Sequence, residues 1–318
     1  LLFSVVQASR LEAFCGENGF RFATDFDPFP EIYADRQALP LDKVFVHEEQ
    51  YAGESTQSKI KKVLDKAAEH GADATLLSAL DEIAWTLNVR CSDVEFNPVT
   101  ISYAYLSDTV NVFFVDERKI DADVRAYFKE CGVEVAPYDS VEKFLEKIKD
   151  ATVLLDPNKT SDTIARSLLN CGTVYAQSPV ALLKAVKNDV QIEGTRKAME
   201  RDGVALVKLF MWIEQNVASG SITEYDVAQK VQEFRAASPL YRGESFGLIA
   251  GYNEHGAIVH YEPEKETAST LHPEGMLLVD TGGQYLDGTT DITRTVALGT
   301  PTEAQRHDYT LVLKGHIA

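Results

Sequence analysis

Residues 276–298 read Met276-Leu-Leu-Val-Asp280-Thr-Gly-Gly-Gln-Tyr-Leu-Asp287-Gly-Thr-Thr-Asp291-Ile-Thr-Arg-Thr-Val-Ala-Leu298. Two β-rich runs, 276–280 and 291–298, flank a Gly-Gly pair and an Asp-Gly pair, a pattern typical of a hairpin or a bulged β-ribbon. Each run carries an aspartate at the end that faces the connection. If the runs pair antiparallel, Asp280 and Asp291 fall on neighbouring strands, where cross-strand partners have Cβ atoms roughly 4.5–5.5 Å apart.

Two carboxylates this close repel each other unless a cation lies between them. The pattern therefore indicates a divalent metal, and a site without thiolates suits Mn²⁺, Mg²⁺ or Co²⁺ better than a structural zinc. The alternative is a plain hairpin, because aspartate also occurs in turns, where it bonds its own backbone. Asp287, directly before Gly288, is predicted to be such a turn residue.

A third β-like run is predicted upstream, in Gly256-Ala-Ile-Val-His260-Tyr-Glu-Pro263. It ends in a histidine and is stopped by a proline. His260 precedes Asp280 by 280 − 260 = 20 residues, and Asp280 precedes Asp291 by 291 − 280 = 11 residues. Taken alone, a histidine after a β-run is also consistent with a structural role.

These spacings, together with GAIVHY, LLVDTGGQYLDGTTDITRT and VLKGHIA in that order, resemble the Xaa-Pro aminopeptidases (aminopeptidase P) of the pita-bread metallopeptidase family. The resemblance implies that Asp280 binds one metal ion and that Asp291 bridges two. It implies that His260 is catalytic without being a ligand, through a hydrogen bond to the substrate near the scissile bond. Two Mn²⁺ ions are expected in the complete protein, with Co²⁺ or Zn²⁺ as alternatives. Peptides with proline second are the expected substrates of a cytoplasmic homodimer.

The family's metal site also needs one histidine and two glutamates further along the chain. His307 and His316 lie in a helical stretch and are interpreted as surface or packing residues, and no glutamate follows Glu303. Three of the five expected ligands are thus absent from these 318 residues. Because even one outer-shell group commonly contributes about 10–100-fold to metal affinity or activity, this chain alone is predicted to bind Mn²⁺ weakly and to hydrolyse nothing.

One residue departs from the family pattern. Many relatives carry asparagine where this chain has His255. Either the backbone turn tolerates the change or the imidazole intrudes on the substrate entrance, and both interpretations are open.

Composition narrows the class of protein. The 49 acidic and 31 basic residues give a net charge of −18, which argues against binding a nucleic-acid backbone. No apolar run is long enough to span a bilayer, so no membrane partner is expected. The four cysteines are widely separated, and the prediction is buried free thiols in a reducing compartment.

The order of predicted elements indicates a multidomain protein of α/β and α+β class. Residues 1–40, with a strand at Phe3–Val6, are predicted to be the remnant of a first N-terminal domain. Residues 41–178 alternate strands and helices, as expected of a second creatinase-like α/β domain. Residues 179–318, with a long helix from Asp189 and a capping box at Thr223-Glu-Tyr-Asp226, are predicted to be the first half of a pita-bread catalytic domain. Both ends look cut, so a fragment of a longer protein is expected.

Two other functions compete with the aminopeptidase. Prolidase, which acts on Xaa-Pro dipeptides, is disfavoured by the large preceding domain with Leu80-Asp-Glu-Ile-Ala-Trp-Thr-Leu-Asn-Val-Arg90. A non-catalytic pita-bread protein that binds peptides or serves as a scaffold is disfavoured because both aspartates are present. Asp81, Glu82 and Arg90 themselves are interpreted as helix-start acids and a structural ion pair rather than as catalytic groups.

Overall fold

A computed structural model describes residues 3–24, 29–33 and 35–318 of the chain. Backbone contacts divide the chain into two compact units, Leu1–Asn188 and Asp189–Ala318. Within the described ranges, no helix combines the length and the apolar character needed to cross a membrane.

The first unit contains α1 (Val5–Glu17), α2 (Phe29–Ile32), β1 (Phe45–Val46), α3 (Glu49–Ala52), α4 (Thr56–Glu69), β2 (Ala74–Leu77), α5 (Leu80–Thr86), β3 (Val89–Arg90), β4 (Tyr103–Ser107), β5 (Asn111–Val115), α6 (Ala122–Cys131), β6 (Val133–Pro137), α7 (Val141–Leu145), β7 (Thr152–Leu155), α8 (Asp162–Arg166), β8 (Gly172–Tyr175) and α9 (Pro179–Ala185). Six of these strands form a mixed sheet in the order β6-β5-β4-β2-β7-β8. The pairs β5–β6, β2–β7 and β7–β8 are parallel, and the other two pairs are antiparallel. The alternation of strands and helices therefore produces the predicted α/β architecture.

Successive strand residues point to opposite faces of the sheet. Helices cover both of these faces. On one face Phe113 packs against Phe128 of α6, with ring centroids 5.1 Å apart. On the other face Phe114 meets Phe144 of α7 at 5.2 Å. Both neighbouring phenylalanines of β5 are fully buried, so the strand belongs to two separate cores.

The strand predicted at Phe3–Val6 is wrong, because the chain enters α1 at Val5. Ser4 caps this helix through a reciprocal capping box with Gln7, and that local hydrogen bonding outweighs the apolar β-like composition. Residues 1–2, 25–28 and 34 of the predicted remnant lie outside the described residues.

The three-part domain division stays a prediction. Helix α9, which the sequence analysis assigned to the catalytic part, lies in the first unit, where Val180 is fully buried in the core. The boundary between the compact units falls beyond it, between Asn188 and Asp189.

The acidic pair at the start of α5 forms ion pairs, as predicted. Asp81 pairs with Lys184, and the buried carboxylate of Glu82 pairs with Lys159. The guanidinium of Arg90 donates instead to two main-chain carbonyl groups. Among the residues that the structure describes, the predicted ion pairing is therefore seen for the two acids and not for Arg90, and the assignment of all three as structural stays a prediction.

The second unit contains α10 (Asp189–Asn216), α11 (Glu224–Ala236), β9 (Tyr241–Glu244), β10 (Ile249–Tyr252), β11 (Met276–Thr281), β12 (Gly283–Tyr285), β13 (Gly288–Thr289), β14 (Ile292–Ala297) and α12 (Glu303–Ile317). The strands form two three-stranded sheets, β10-β11-β14 and β13-β12-β9. Thr223 caps α11 through the predicted capping box with Asp226. Leu209 of α10 and Val231 of α11 are buried with Val279 of β11 in one core, so the two helices cover the sheet that carries Asp280.

The first unit also buries a lysine. Only 1% of Lys59 is exposed, and its ammonium donates to the Trp85 carbonyl at 3.0 Å and to Asn88 Oδ1 at 2.6 Å. It also lies 4.3 Å from the centre of the Trp85 ring. Burial, with the nearby charge of Arg90, lowers the pKa of Lys59 to about 7.

This shift predicts that the stability of the chain rises in mildly alkaline solution. An unfolded lysine has a pKa near 10.4, so between pH 7 and that value the unfolded chain holds a proton that the folded chain has lost. The free energy of unfolding should then rise by up to about 1.4 kcal/mol per pH unit. Urea titrations at pH 7, 8, 9 and 10 should show this rise in the wild type and lose it in Lys59→Met. Lys61→Met, on the exposed face of the same helix, should keep it. Parallel profiles for all three proteins would contradict the assignment.

Candidate active site

The two candidate metal ligands lie at one end of the β11–β14 pair. These strands are antiparallel, with Asp280 opposite Thr293 and Thr281 opposite Ile292. Asp291 directly precedes β14, two residues before Thr293, and is therefore diagonal to Asp280 rather than opposite it. Residues two apart on a strand share a face, and diagonal neighbours are separated by roughly 7–8 Å. The register leaves room for an ion between the two side chains.

The carboxylate of Asp280 is oriented by its cross-strand partner. Thr293 Oγ1 donates to Asp280 Oδ1 at 2.7 Å. A hydrogen bond to a charged carboxylate is stronger than one between neutral groups. This bond fixes one oxygen of Asp280 near the end of β11.

The three predicted site residues line one cavity of about 280 Å³. Asp280, Asp291 and His260 share its wall with Glu262 and with three other residues, Phe246, Gly247 and Ile249. The cavity therefore combines carboxylates and an imidazole with two large apolar side chains. It has the mixed character of a site for a small polar ligand.

The β-run predicted at residues 256–260 is wrong. Strand β10 ends at Tyr252, a 3-10 helix spans Asn253–Ala257, and His260 lies in a turn with φ 56°. The cause is a close backbone approach, since a Cβ atom on Gly251 would lie 2.7 Å from the Cα atom of Gly256. This contact turns the chain back directly after β10.

The donor set fits a hard divalent ion only in part. Carboxylate oxygens are the ligands that Mg²⁺ and Mn²⁺ accept in proteins, and Asp280 and Asp291 face the same cavity. Within the described part of the chain, however, no group of three or more His, Cys, Asp or Glu side chains is arranged to hold a metal. Among the described residues, the site therefore offers two candidate ligands and not a complete coordination shell.

A buried ion pair stands beside Asp280. Arg235 of α11 and Asp202 of α10 have no exposed side-chain surface, and their bidentate contacts measure 2.6 and 3.0 Å. The same guanidinium donates to Thr281 Oγ1 at 2.6 Å and to the Gly282 carbonyl at 3.1 Å, and it pairs with Glu244. Burial raises the pKa of Glu244, and the nearby positive charge of Arg235 opposes that shift. Arg235 thus binds the residue that directly follows Asp280.

The other partner of the pair binds the residue that directly precedes Asp291. The Thr290 hydroxyl donates to Asp202 and accepts a hydrogen bond of 2.8 Å from the Gly283 amide. The Tyr285 hydroxyl also donates to Asp202, at 3.2 Å. The segments that carry the two aspartates are therefore both attached to one ion pair.

Asp287 is a turn residue, as predicted. It lies between β12 and β13, and its carboxylate forms a bidentate pair with Arg201 at 3.0 and 2.8 Å. The β12–β13 hairpin that joins β11 to β14 is thereby tied to α10.

The sequence analysis missed Asp202, Arg235 and the buried glutamate Glu224. Each is a charged residue on a helix with an otherwise apolar buried face. A charged residue on a helix is weak evidence for a buried ion pair, because in a chain with 25% charged residues most charges are solvated.

Two protein-family descriptions match the chain. The creatinase/prolidase N-terminal domain covers residues 35–191, and metallopeptidase family M24 covers residues 193–318. The first match covers most of the first compact unit, and the second covers nearly all of the second unit.

Curated relatives match over most of the chain. It is 40% identical over 296 residues to "Probable Xaa-Pro aminopeptidase P" of Aspergillus niger, an alignment that covers 89% of this chain and 48% of that protein. It is 34% identical over 321 residues to "Aminopeptidase P2" of Arabidopsis thaliana, covering 91% and 45% respectively. The chain thus spans about half the length of the curated relatives it matches.

Solved structures show the same fold. The X-prolyl aminopeptidase of Caenorhabditis elegans, described as a cytosolic enzyme with a di-nuclear active site, superposes with a TM-score of 0.91 at 30% identity, covering 99% of this chain and 53% of that one. The Xaa-Pro dipeptidase of Bacillus anthracis gives 0.63 at 19% identity, covering 83% and 71%. The similarity to the Bacillus anthracis protein, at 19% identity, shows only that the two chains share a fold.

The buried pair yields a prediction about stability. Arg235→Met should lower the free energy of unfolding of the second unit by about 3–5 kcal/mol, because Asp202 and Glu244 would remain buried without their cation. Urea unfolding followed by Trp212 fluorescence, in a Trp85→Phe background, measures the loss.

The matched control is Arg242→Met, because Arg242 is exposed and its guanidinium donates to main-chain carbonyls. It should change the same transition by less than about 1 kcal/mol. Equal effects of the two substitutions would show that the buried pair does not stabilise this unit.

Proposed function

The chain belongs to metallopeptidase family M24 and carries the creatinase/prolidase N-terminal domain, and from this premise we propose that the protein is a metal-dependent aminopeptidase that removes the N-terminal residue from peptides with proline second. The observation that carries the proposal is the convergence of Asp280, Asp291 and His260 on one cavity. The relatives named Xaa-Pro aminopeptidase P support the substrate class.

In the proposed mechanism Asp280 and Asp291 hold divalent metal, with Thr293 fixing one oxygen of Asp280. Metal bound there would lower the pKa of water and polarise a carbonyl group, so hydrolysis of the tertiary amide before proline would need no protein nucleophile. His260, which lines the same cavity, would donate a hydrogen bond toward the scissile carbonyl oxygen and stabilise the negative charge that develops there.

We further propose two Mn²⁺ ions in the complete site, with Co²⁺ or Zn²⁺ as alternatives, and a cytoplasmic homodimer. The support is the family resemblance together with the carboxylate character of the two ligands. The description of the Caenorhabditis elegans enzyme as cytosolic supports the compartment. We also propose that His260 is catalytic and that Asp280 and Asp291 are metal ligands, because all three line one cavity.

The incomplete set of candidate ligands predicts that this chain binds metal weakly. Two carboxylates provide two of the five ligands that the family resemblance implies, and no glutamate follows Glu303. Calorimetric titration with Mn²⁺ should therefore give a dissociation constant well above micromolar and no hydrolysis of Xaa-Pro peptides. Asp280→Asn and Asp291→Asn should each remove the binding signal, because the loss of either carboxylate leaves a single ligand.

Glu303→Gln provides the control, since Glu303 is an exposed acid at the start of α12 and should leave the titration unchanged. Sub-micromolar affinity at two sites would show that other residues are the ligands. Binding that survives both aspartate substitutions would overturn the assigned pair.

A further inference from the structure

His260 lies on a segment with little regular structure. Residues 253–263 comprise the 3-10 helix Asn253–Ala257, a turn and an irregular stretch that ends at Pro263. Asn253 and His260 have φ values of 49° and 56°, in the left-handed region. Val259, next to His260, is 82% exposed. The left-handed conformation is uncommon for residues other than glycine and costs free energy, so a contact that stabilises this segment is expected.

That contact is made by Glu224, the first residue of α11, which is fully buried. Its carboxylate accepts hydrogen bonds from the Tyr252 amide at 2.6 Å and from the Ser269 amide at 2.7 Å. His255 Nδ1 lies 3.0 Å from both of its oxygens. The Tyr261 hydroxyl donates to it at 2.8 Å. One carboxylate therefore binds the chain before and after His260.

The two side chains that reach Glu224 also close the segment on itself. The ring centroids of His255 and Tyr261 lie 4.4 Å apart, so His260 lies in a short stretch of chain whose two ends are in contact. Burial, with the Glu224 carboxylate as acceptor, raises the pKa of Tyr261 to about 12, and the hydroxyl keeps the proton that it donates. The His255 imidazole thus lies within hydrogen-bonding distance of Glu224. This contact favours the interpretation that the backbone turn tolerates a histidine at this position.

Glu224 is suited to this task by its place on the helix. It follows the capping residue Thr223, and an anionic side chain in the first turn of a helix is stabilised by the helix dipole. Hydrogen bonds to an ionised acceptor are stronger than neutral ones, and burial strengthens them further. The carboxylate can therefore hold four groups from one fixed position.

We propose that Glu224 is a positioning residue that sets the place of His260 against the cavity of Asp280 and Asp291, an inference that rests on the proposed function for its catalytic meaning. Glu224 acts through His255 and Tyr261. Without it, the segment would lose the common acceptor for both of its ends, and His260 would lose its fixed place in the wall of the cavity that Asp280 and Asp291 also line.

The test measures the order of the His260 backbone by ¹⁵N relaxation in the metal-free chain. The order parameter of the His260 amide should be about 0.85 in the wild type and fall below about 0.6 in Glu224→Gln. The glutamine side chain keeps one acceptor oxygen. Its NH₂ group, however, would face N–H and O–H groups that donate to the carboxylate in the wild type. Glu254→Gln is the control, because Glu254 is an exposed acid on the same 3-10 helix, and it should leave the value unchanged.

Tyr261→Phe keeps the proposal testable if Glu224→Gln fails to fold, since it removes only one hydroxyl. It should lower the His260 order parameter while the amides of β11 and β14 keep theirs. An unchanged value in Tyr261→Phe and in a folded Glu224→Gln protein would overturn the positioning role. So would a loss of order spread evenly over the whole unit, because that would indicate general destabilisation.

A second arm separates this inference from the proposed function. Mn²⁺ added to the labelled chain should broaden the His260 resonance, and Asp280→Asn should abolish the broadening. If Mn²⁺ leaves His260 unaffected while Glu224→Gln still disorders it, the metal assignment fails and the positioning role is supported. If Mn²⁺ broadens His260 and Glu224→Gln leaves its order intact, the positioning role alone is contradicted.

Discussion

The ion pair between Arg235 and Asp202 is the contact on which the candidate site depends. Both groups are shielded from water, and the desolvation that this requires is offset only because each makes further hydrogen bonds. Those bonds go to Thr281 and Thr290, the immediate neighbours of the two candidate ligands. A single charge pair between helices thus holds two β segments that are separated in sequence by a hairpin.

Three constraints of different kinds place the three candidate site residues. Strand register puts Asp280 and Asp291 on one face, and the buried ion pair holds the segments that carry them. His260 has no strand to hold it, and the buried carboxylate of Glu224 serves in its place. The site is therefore determined by groups that lie outside its cavity, on the helices α10 and α11.

Much of this arrangement could be predicted from sequence because the signals are local. The alternating apolar runs predicted β11 and β14, and Thr223 with Asp226 predicted the start of α11. The approach of Gly251 to Gly256 was not predictable, because it depends on the path of the chain in space. For the same reason a β-like composition at residues 256–260 gave the wrong structure. Arg235 and Asp202 were missed because their partners are distant in sequence, and only the folded chain shows that these charges are buried.

We propose that this fold brings two carboxylates and one imidazole to a common divalent-metal site. Crystals of the chain grown with a high concentration of Mn²⁺, measured near the manganese absorption edge, test it most directly. The account predicts an anomalous difference peak within bonding distance of both Asp280 and Asp291, with the His260 imidazole facing it. A peak bound elsewhere, or carboxylates that point away from each other, would contradict it.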